Sequence, residues 1–244
     1  MLRRISIAAM VASLAAFPVA CAQDVDTSDK EAIEKIVHSY LMENPEVIID
    51  ALNELDRRQR EDAAAAAKVA LEENADVLYS NATDFSIGPA DAEITIVEFF
   101  DYRCGFCKSA AGWVNSAPAK YDGKVRVVFK EMPILSPESR DASLAALAAG
   151  KQGKYTEIHR AMMKDRGSFK TADIDRIAAS VGVDVEQMRE DMKDKSLEAI
   201  VDANIQLAGT ITGDSPSAPT FVIAGEIVRG ANIERLEALI EENS

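Results

Sequence analysis

Two cysteines separated by two residues dominate the run Glu98-Phe99-Phe100-Asp101-Tyr102-Arg103-Cys104-Gly105-Phe106-Cys107-Lys108. The run follows the strand-like segment Ile94-Thr95-Ile96-Val97 and opens a predicted helix. A strand feeding directly into a helix places Cys104 at the helix N-terminus. Unpaired backbone N–H groups and the macrodipole there favour the thiolate. A thiolate is the species that attacks disulfides, so this spacing points to thiol–disulfide exchange.

The chain begins Met1-Leu2-Arg3-Arg4, continues apolar from Ile5 to Ala20, and reaches the small-x-small site Ala20-Cys21-Ala22. This pattern predicts a secretory signal peptide over residues 1–22 and export to the periplasm. The apolar run is short for a membrane-spanning helix. Lipidation at Cys21 is the weaker reading, because Pro18 stands where such signals carry an aliphatic residue. Cleavage before Gln23 leaves Cys104 and Cys107 as the one cysteine pair. So short a loop makes a poor structural staple, since stabilisation by a disulfide grows with the loop it closes. A structural zinc site needs further ligands, and the two histidines, His38 and His159, are far apart in sequence. Redox activity is therefore expected. The formal charge of −14 leaves no basic stripe for phosphates, which argues against nucleic acid as a partner.

Between the signal and residue 83 the pattern is helical throughout. Ser28-Asp29-Lys30-Glu31 reads as a capping box, and Ile33, Ile36, Val37, Tyr40 and Leu41 form one apolar face. Asn44 is the expected N-cap of a second helix, with Pro45 at its first position and a stripe of Ile48, Ala51, Leu52 and Leu55. Isolated short helices are marginal in water, so this extension (23–83) must bury its stripes somewhere; self-association is favoured over docking on the same chain. Beyond it, strand, helix, strand, a helical insertion at about 136–210, two strands and a last helix succeed one another. Thr171, Asp184 and Ser196 are expected caps, and Gly150, Gly153 and Gly182 expected breaks, within the insertion.

This order around Cys104-Gly105-Phe106-Cys107 resembles the thioredoxin-like fold, an α/β fold, with a helical insertion of the DsbA type. The likeness is carried by Phe99-Phe100-Asp101-Tyr102, Glu131-Met132-Pro133-Ile134-Leu135-Ser136-Pro137-Glu138-Ser139 and Ala218-Pro219-Thr220-Phe221-Val222-Ile223, and spans residues 84–244. The segment Tyr40-Leu41 with Asn44-Pro45-Glu46-Val47 is similar to the N-terminal region of the ScsC group, the suppressor-of-copper-sensitivity C proteins. The resemblance implies a disulfide isomerase, a homotrimer through the N-terminal helices, client proteins with disulfides, and a membrane reductase of the ScsB type. It implies no cofactor.

Each site residue has an expected role. Cys104 is the exposed nucleophile, and Cys107, one turn on, resolves the mixed disulfide. Glu98 matches the family's buried acid and would shuttle the Cys107 proton, its pKa raised by desolvation. Pro219 corresponds to the family's cis-proline, with the backbone of Ala218 pairing with substrate. Here Ser217-Ala218-Pro219 replaces the usual Gly-Thr-Pro. Phe106 contributes to substrate binding, and the Gly105-Phe106 dipeptide, which lacks histidine, looks like that of the isomerases. Lys108 is either a positive charge near the thiols or a solvated helix residue. His159 and Trp113 read as packing residues. Two rivals stand beside the isomerase: a DsbA-like dithiol oxidase, and a copper protein holding Cu(I) at Cys104 and Cys107, since thiolates suit that ion.

Overall fold

In the computed structural model, which describes residues 27–213 and 216–244, the chain opens with α1 (Thr27–Glu43), α2 (Glu46–Glu73) and α3 (Ala75–Tyr79). The predicted signal peptide and Cys21 lie outside the described residues. Two compact units divide the chain, residues 1–57 and 58–244. Ser28, the expected cap, lies inside α1, after its first residue Thr27. Asn44 does not cap α2 with its side chain either; its amide donates back to the Tyr40 carbonyl at 2.9 Å. The polar stretch at 56–62 and the alanines after it run on as one helix. Alanine is the strongest helix former, and Arg57 adds a bidentate pair to Glu54, both bonds 2.8 Å. In the first unit Ile33, Ile36 and Tyr40 of α1 and Ile48, Leu52 and Leu55 of α2 are all exposed.

The second unit contains β1 (Phe85–Ile87), β2 (Ile94–Phe100), α4 (Gly105–Lys120), β3 (Val125–Glu131), α5 (Pro137–Lys151), α6 (Tyr155–Lys164), α7 (Thr171–Ser180), α8 (Val185–Asp191), α9 (Lys195–Thr212), β4 (Thr220–Ile223), β5 (Glu226–Arg229) and α10 (Ile233–Glu242). The sheet order is β1-β3-β2-β4-β5, with β2 and β3 parallel and every other pair antiparallel. β1 was not anticipated. Its three residues are too few for any periodicity to register, and its pairing partner is β3, some forty residues on.

Alternation along the strands separates two cores. Ile94, Ile96 and Phe100 of β2, with Val125, Val127 and Phe129 of β3, face α4 and the helical insertion. Val97, Phe99 and Val128 face the other way, onto Leu71, Leu78, Leu207 and Ile211. Buried on that second side, Lys130 donates to the Val77 carbonyl at 2.6 Å and pairs with Asp84.

Five helices, α5 to α9, make the insertion. Ser136 caps α5 by accepting from the Ser139 N–H at 3.2 Å, ahead of Pro137 at the first position. Asp184 caps α8 as expected, accepting from the Gln187 N–H at 3.0 Å. Thr171 is the first residue of α7 instead of its cap, and Asp194, not Ser196, caps α9. Gly153 and Gly182 take positive φ at helix ends. Gly150 does not break a helix; it lies inside α5 for a packing reason. A Cβ there would stand 2.2 Å from Cζ of Phe85, whose ring stacks on Tyr155 at a centroid distance of 4.0 Å.

Gly150→Ala should therefore destabilise by about 1–3 kcal/mol through overpacking. Denaturant titration measures it, and Phe85→Leu in the same chain should recover part of the loss. A stabilised Gly150→Ala variant would show that the helix-propensity gain outweighs the clash.

Candidate active site

Cys104 is the N-cap of α4, with extended backbone at φ −72° and ψ 119°. Its Sγ accepts from the Cys107 N–H at 3.4 Å and donates to the Ala218 carbonyl at 3.2 Å. The Ala218–Pro219 bond is cis. Cys104 was expected to be exposed, yet only 6% of its surface is accessible, because the loop carrying Ala218 and Pro219 covers the sulfur. Phe106 is instead the side chain shown to solvent, 70% exposed. Cys107 is fully buried one turn in.

The two thiols differ sharply. Hydrogen bonding from the Cys107 thiol, helped by backbone N–H groups of Cys107 and Phe106 and opposed by burial, lowers the Cys104 pKa to about 6. The same hydrogen bond, then burial and the charge of Glu98, push Cys107 far up. One sulfur is thus a ready thiolate near neutrality while the other keeps its proton.

Glu98 shares its face of β2 with Ile96 and Phe100, beneath α4, and is buried with Oε1 unpartnered. Desolvation first, then the charges of Cys104 and Glu131, raise its pKa to about 8. Glu131 occupies the same sheet face on β3, where the register pairs Glu98 with Phe129 and Phe100 with Glu131. Burial raises it to about 8 as well. Tyr102 and Tyr155 both donate to its Oε1, at 2.9 and 2.8 Å, and Tyr102 Oη lies 3.1 Å from Nδ1 of His159. Burial lowers His159 to about 3, so it is neutral. Read from sequence as packing, His159 does pack, 4.4 Å from the Phe129 ring, but it also closes this polar cluster. Sequence reasoning missed the cluster as a unit. The one available signal was Glu131 itself, an acid at an inward position of an apolar strand.

Asp101 was likewise passed over as a site residue. Its buried carboxylate accepts from the N–H groups of Arg103 (2.7 Å), Ile134 (3.0 Å) and Leu135 (3.0 Å) and from the Ser139 hydroxyl (2.8 Å). Arg103 spans the same junction, reaching Ser136 at 2.6 Å and Glu138 at 2.9 Å. Lys108 is half-buried, with its ammonium bonded to the Asp165 carbonyl and 4.7 Å over the Phe169 ring. Trp113 donates to Glu237 at 2.7 Å on the other side of α4. Among the described residues no third His, Cys, Asp or Glu joins the two sulfurs to form a metal-holding group.

Two pH dependences follow from these shifts. Alkylation of Cys104 should titrate with a midpoint near 6; a midpoint near the ordinary thiol value of 9 would contradict the helix-cap geometry. The raised glutamates contribute stability that is full below their ordinary value of 4.5 and is lost as pH rises through about 8. The depressed Cys104 has the opposite sign: its contribution is full above 9 and lost as pH falls through about 6. Denaturant midpoints of the reduced protein should therefore fall most steeply between pH 4.5 and 6, and Glu98→Gln should flatten that fall.

Comparison with known proteins agrees with this geometry. The thioredoxin family model matches residues 80–242, and the model of the copper resistance protein ScsC N-terminal domain matches residues 29–62. A thioredoxin-like oxidoreductase from Silicibacter pomeroyi DSS-3 is 34% identical, over 68% of this chain and 95% of that one, at a TM-score of 0.64. Proteus mirabilis ScsC in a transitional conformation is 25% identical, over 90% of this chain and 97% of that one, also at 0.64. The Na(+)/H(+) antiporter NhaA 1 of Mycobacterium sp. (strain KMS) is 28% identical over 145 residues, 59% of this chain. The chain spans about a quarter of the length of the curated relatives it matches. No helix among the described residues is long and apolar enough to cross a membrane. With a cysteine pair at the start of α4, the Pro219 loop against it and a buried acid beneath, the chain belongs to the thioredoxin family and is similar, within it, to thioredoxin-like oxidoreductases and to ScsC.

Proposed function

We propose that this protein is a thiol–disulfide oxidoreductase working as a disulfide isomerase of the periplasm, reduced by a membrane partner of the ScsB type. The observation that carries the exchange chemistry is Cys104 at the N-cap of α4, its Sγ accepting from the Cys107 N–H and lying against the Ala218 carbonyl, with Cys107 buried one turn in. The Cys104 thiolate attacks one sulfur of a non-native client disulfide, forming a mixed disulfide and expelling the other client sulfur as thiolate. A second client thiolate then attacks the client sulfur of the mixed disulfide, expelling the Cys104 thiolate and leaving a reshuffled bond. If the client stalls, Glu98 takes the Cys107 proton, and Cys107 attacks Cys104 to release reduced client and an oxidised pair. Pro219 and Ala218 line the place where client backbone would pair, and Phe106 offers it an apolar contact.

Isomerisation is favoured over oxidation by two features. The Gly105-Phe106 dipeptide has no histidine to stabilise the thiolate further. The exposed stripes of α1 and α2 suit self-association, and the match to the ScsC N-terminal domain over residues 29–62 supports a homotrimer built there. The extension at 23–83 then acts as an oligomerisation arm and residues 84–244 as the catalytic domain, with several Cys104 thiolates facing one client. Copper remains a second reading, supported by the same domain match, with Cu(I) between the two sulfurs. Copper titration of the reduced protein against Cys104→Ala tests it.

Reduced protein should recover activity of a scrambled multi-disulfide substrate, whereas recovery only from oxidised protein and reduced substrate would identify an oxidase. Glu98→Gln should slow Cys107-dependent release from the mixed disulfide by about a hundredfold. Light scattering should give a trimer for the full chain and a monomer once the extension is removed; two monomers would overturn the trimer and weaken the isomerase.

A further inference from the structure

A groove begins where the cysteine pair ends. Lys108, the residue after Cys107, opens it, and Asn115 lies at its far end on α4; Arg160, Met163 and Lys164 of α6 and Arg166 beyond form the other wall. Four of these side chains are cationic, and no carboxylate lines the groove. That is unexpected in a chain of net charge −14. The acids nearest in sequence are turned elsewhere, Asp165 to Arg176 at 2.8 Å and Glu157 to Lys154 at 3.6 Å. Arg160 is held by the neutral Asn115 side chain at 2.8 Å. Lys164 and Arg166 are exposed and have no ion-pair partner among the described residues. Burial lowers the Lys108 pKa first, and the neighbouring Arg166 lowers it further against the pull of Asp165. Asp165 offsets part of this at Lys108 but does not line the groove, and like charges gathered there repel one another, which an anion between them relieves.

We infer that this groove receives an acidic segment of the client polypeptide, beside the cysteine that Cys104 attacks. Its length fits a peptide. Lys108 to Asn115 is seven residues of helix, roughly 10 Å at 1.5 Å per residue, which accommodates about three extended residues. Asp or Glu side chains about two to five residues from the client cysteine would therefore meet the cations. Charges of this kind act chiefly on encounter rate and on choice of partner, and they are screened by salt.

The inference rests on the disulfide-exchange reading, and one experiment separates the two. Three peptide disulfides, with glutamates, lysines or neutral residues three positions from the cysteine, are reacted with full-length reduced protein and with the double variant Lys164→Glu, Arg166→Glu. Both positions are exposed, and neither belongs to the exchange machinery. The wild type should prefer the acidic peptide over the lysine one by roughly tenfold in kcat/KM at low salt, with the preference shrinking at high salt. The variant should lose or invert that preference and keep its rate on the neutral peptide. Equal rates for acidic and basic peptides in the wild type would overturn the inference, as would a preference that survives the charge reversal. A protein inert toward all three peptides would instead overturn the exchange reading, and the inference with it.

Discussion

The buried carboxylate of Asp101 holds the active site together. It stands just past the end of β2 and accepts four hydrogen bonds, from the start of the Cys104 turn, from the loop after β3 and from the first turn of α5. Its donors are three backbone N–H groups and the Ser139 hydroxyl, and such bonds contribute about 0.5–1.5 kcal/mol each. One side chain therefore fixes the angle at which α4 leaves the sheet and the point at which the helical insertion is attached. Arg103 reinforces the junction from outside through Ser136 and Glu138. With α4 set in this way, Cys104 falls at the helix cap and under the Ala218 carbonyl.

Below that junction the sheet carries two acids on the face that packs against α4. Strand parity puts Glu98 and Glu131 there, and the apolar surroundings hold both mostly protonated at neutral pH. Their environments differ. Each keeps one oxygen unpartnered, but two tyrosine hydroxyls hold the other oxygen of Glu131, which favours a fixed, structural carboxyl, whereas no tyrosine reaches Glu98 beneath the cysteines. An acid free to gain and lose a proton at that position suits a buried thiol that must lose its own before it can attack.

The chemistry of the first unit is of another kind. Its helices are laced by local ion pairs, Lys30 with Glu34 and Arg57 with Glu54, but their apolar residues are exposed in the single chain. Helices of this length draw most of their stability from packing an apolar face, and the stripes of α1 and α2 leave that face uncovered in the single chain.

Much of this was legible from residues alone, because the signals involved are local. A buried strand followed by Cys-Gly-Phe-Cys locates the helix cap; Ser136-Pro137 and Asp184 announce helix starts; and Glu98 lies at an even spacing from Ile94 and Ile96, which assigns it inward. What stayed hidden depends on contacts between distant segments. β1 is defined by pairing with β3, not by its own three residues. Gly150 is small because Phe85 lies over it. Asp101 gains its importance from Ile134, Leu135 and Ser139, and Glu131 from tyrosines on a loop and on α6. Even Cys104, the expected nucleophile, changed character: sequence placed it at a helix end, where it should be exposed, while the chain returning more than a hundred residues later covers it. Spacing along the chain determined which groups could react, and packing across it decided what each of them touches.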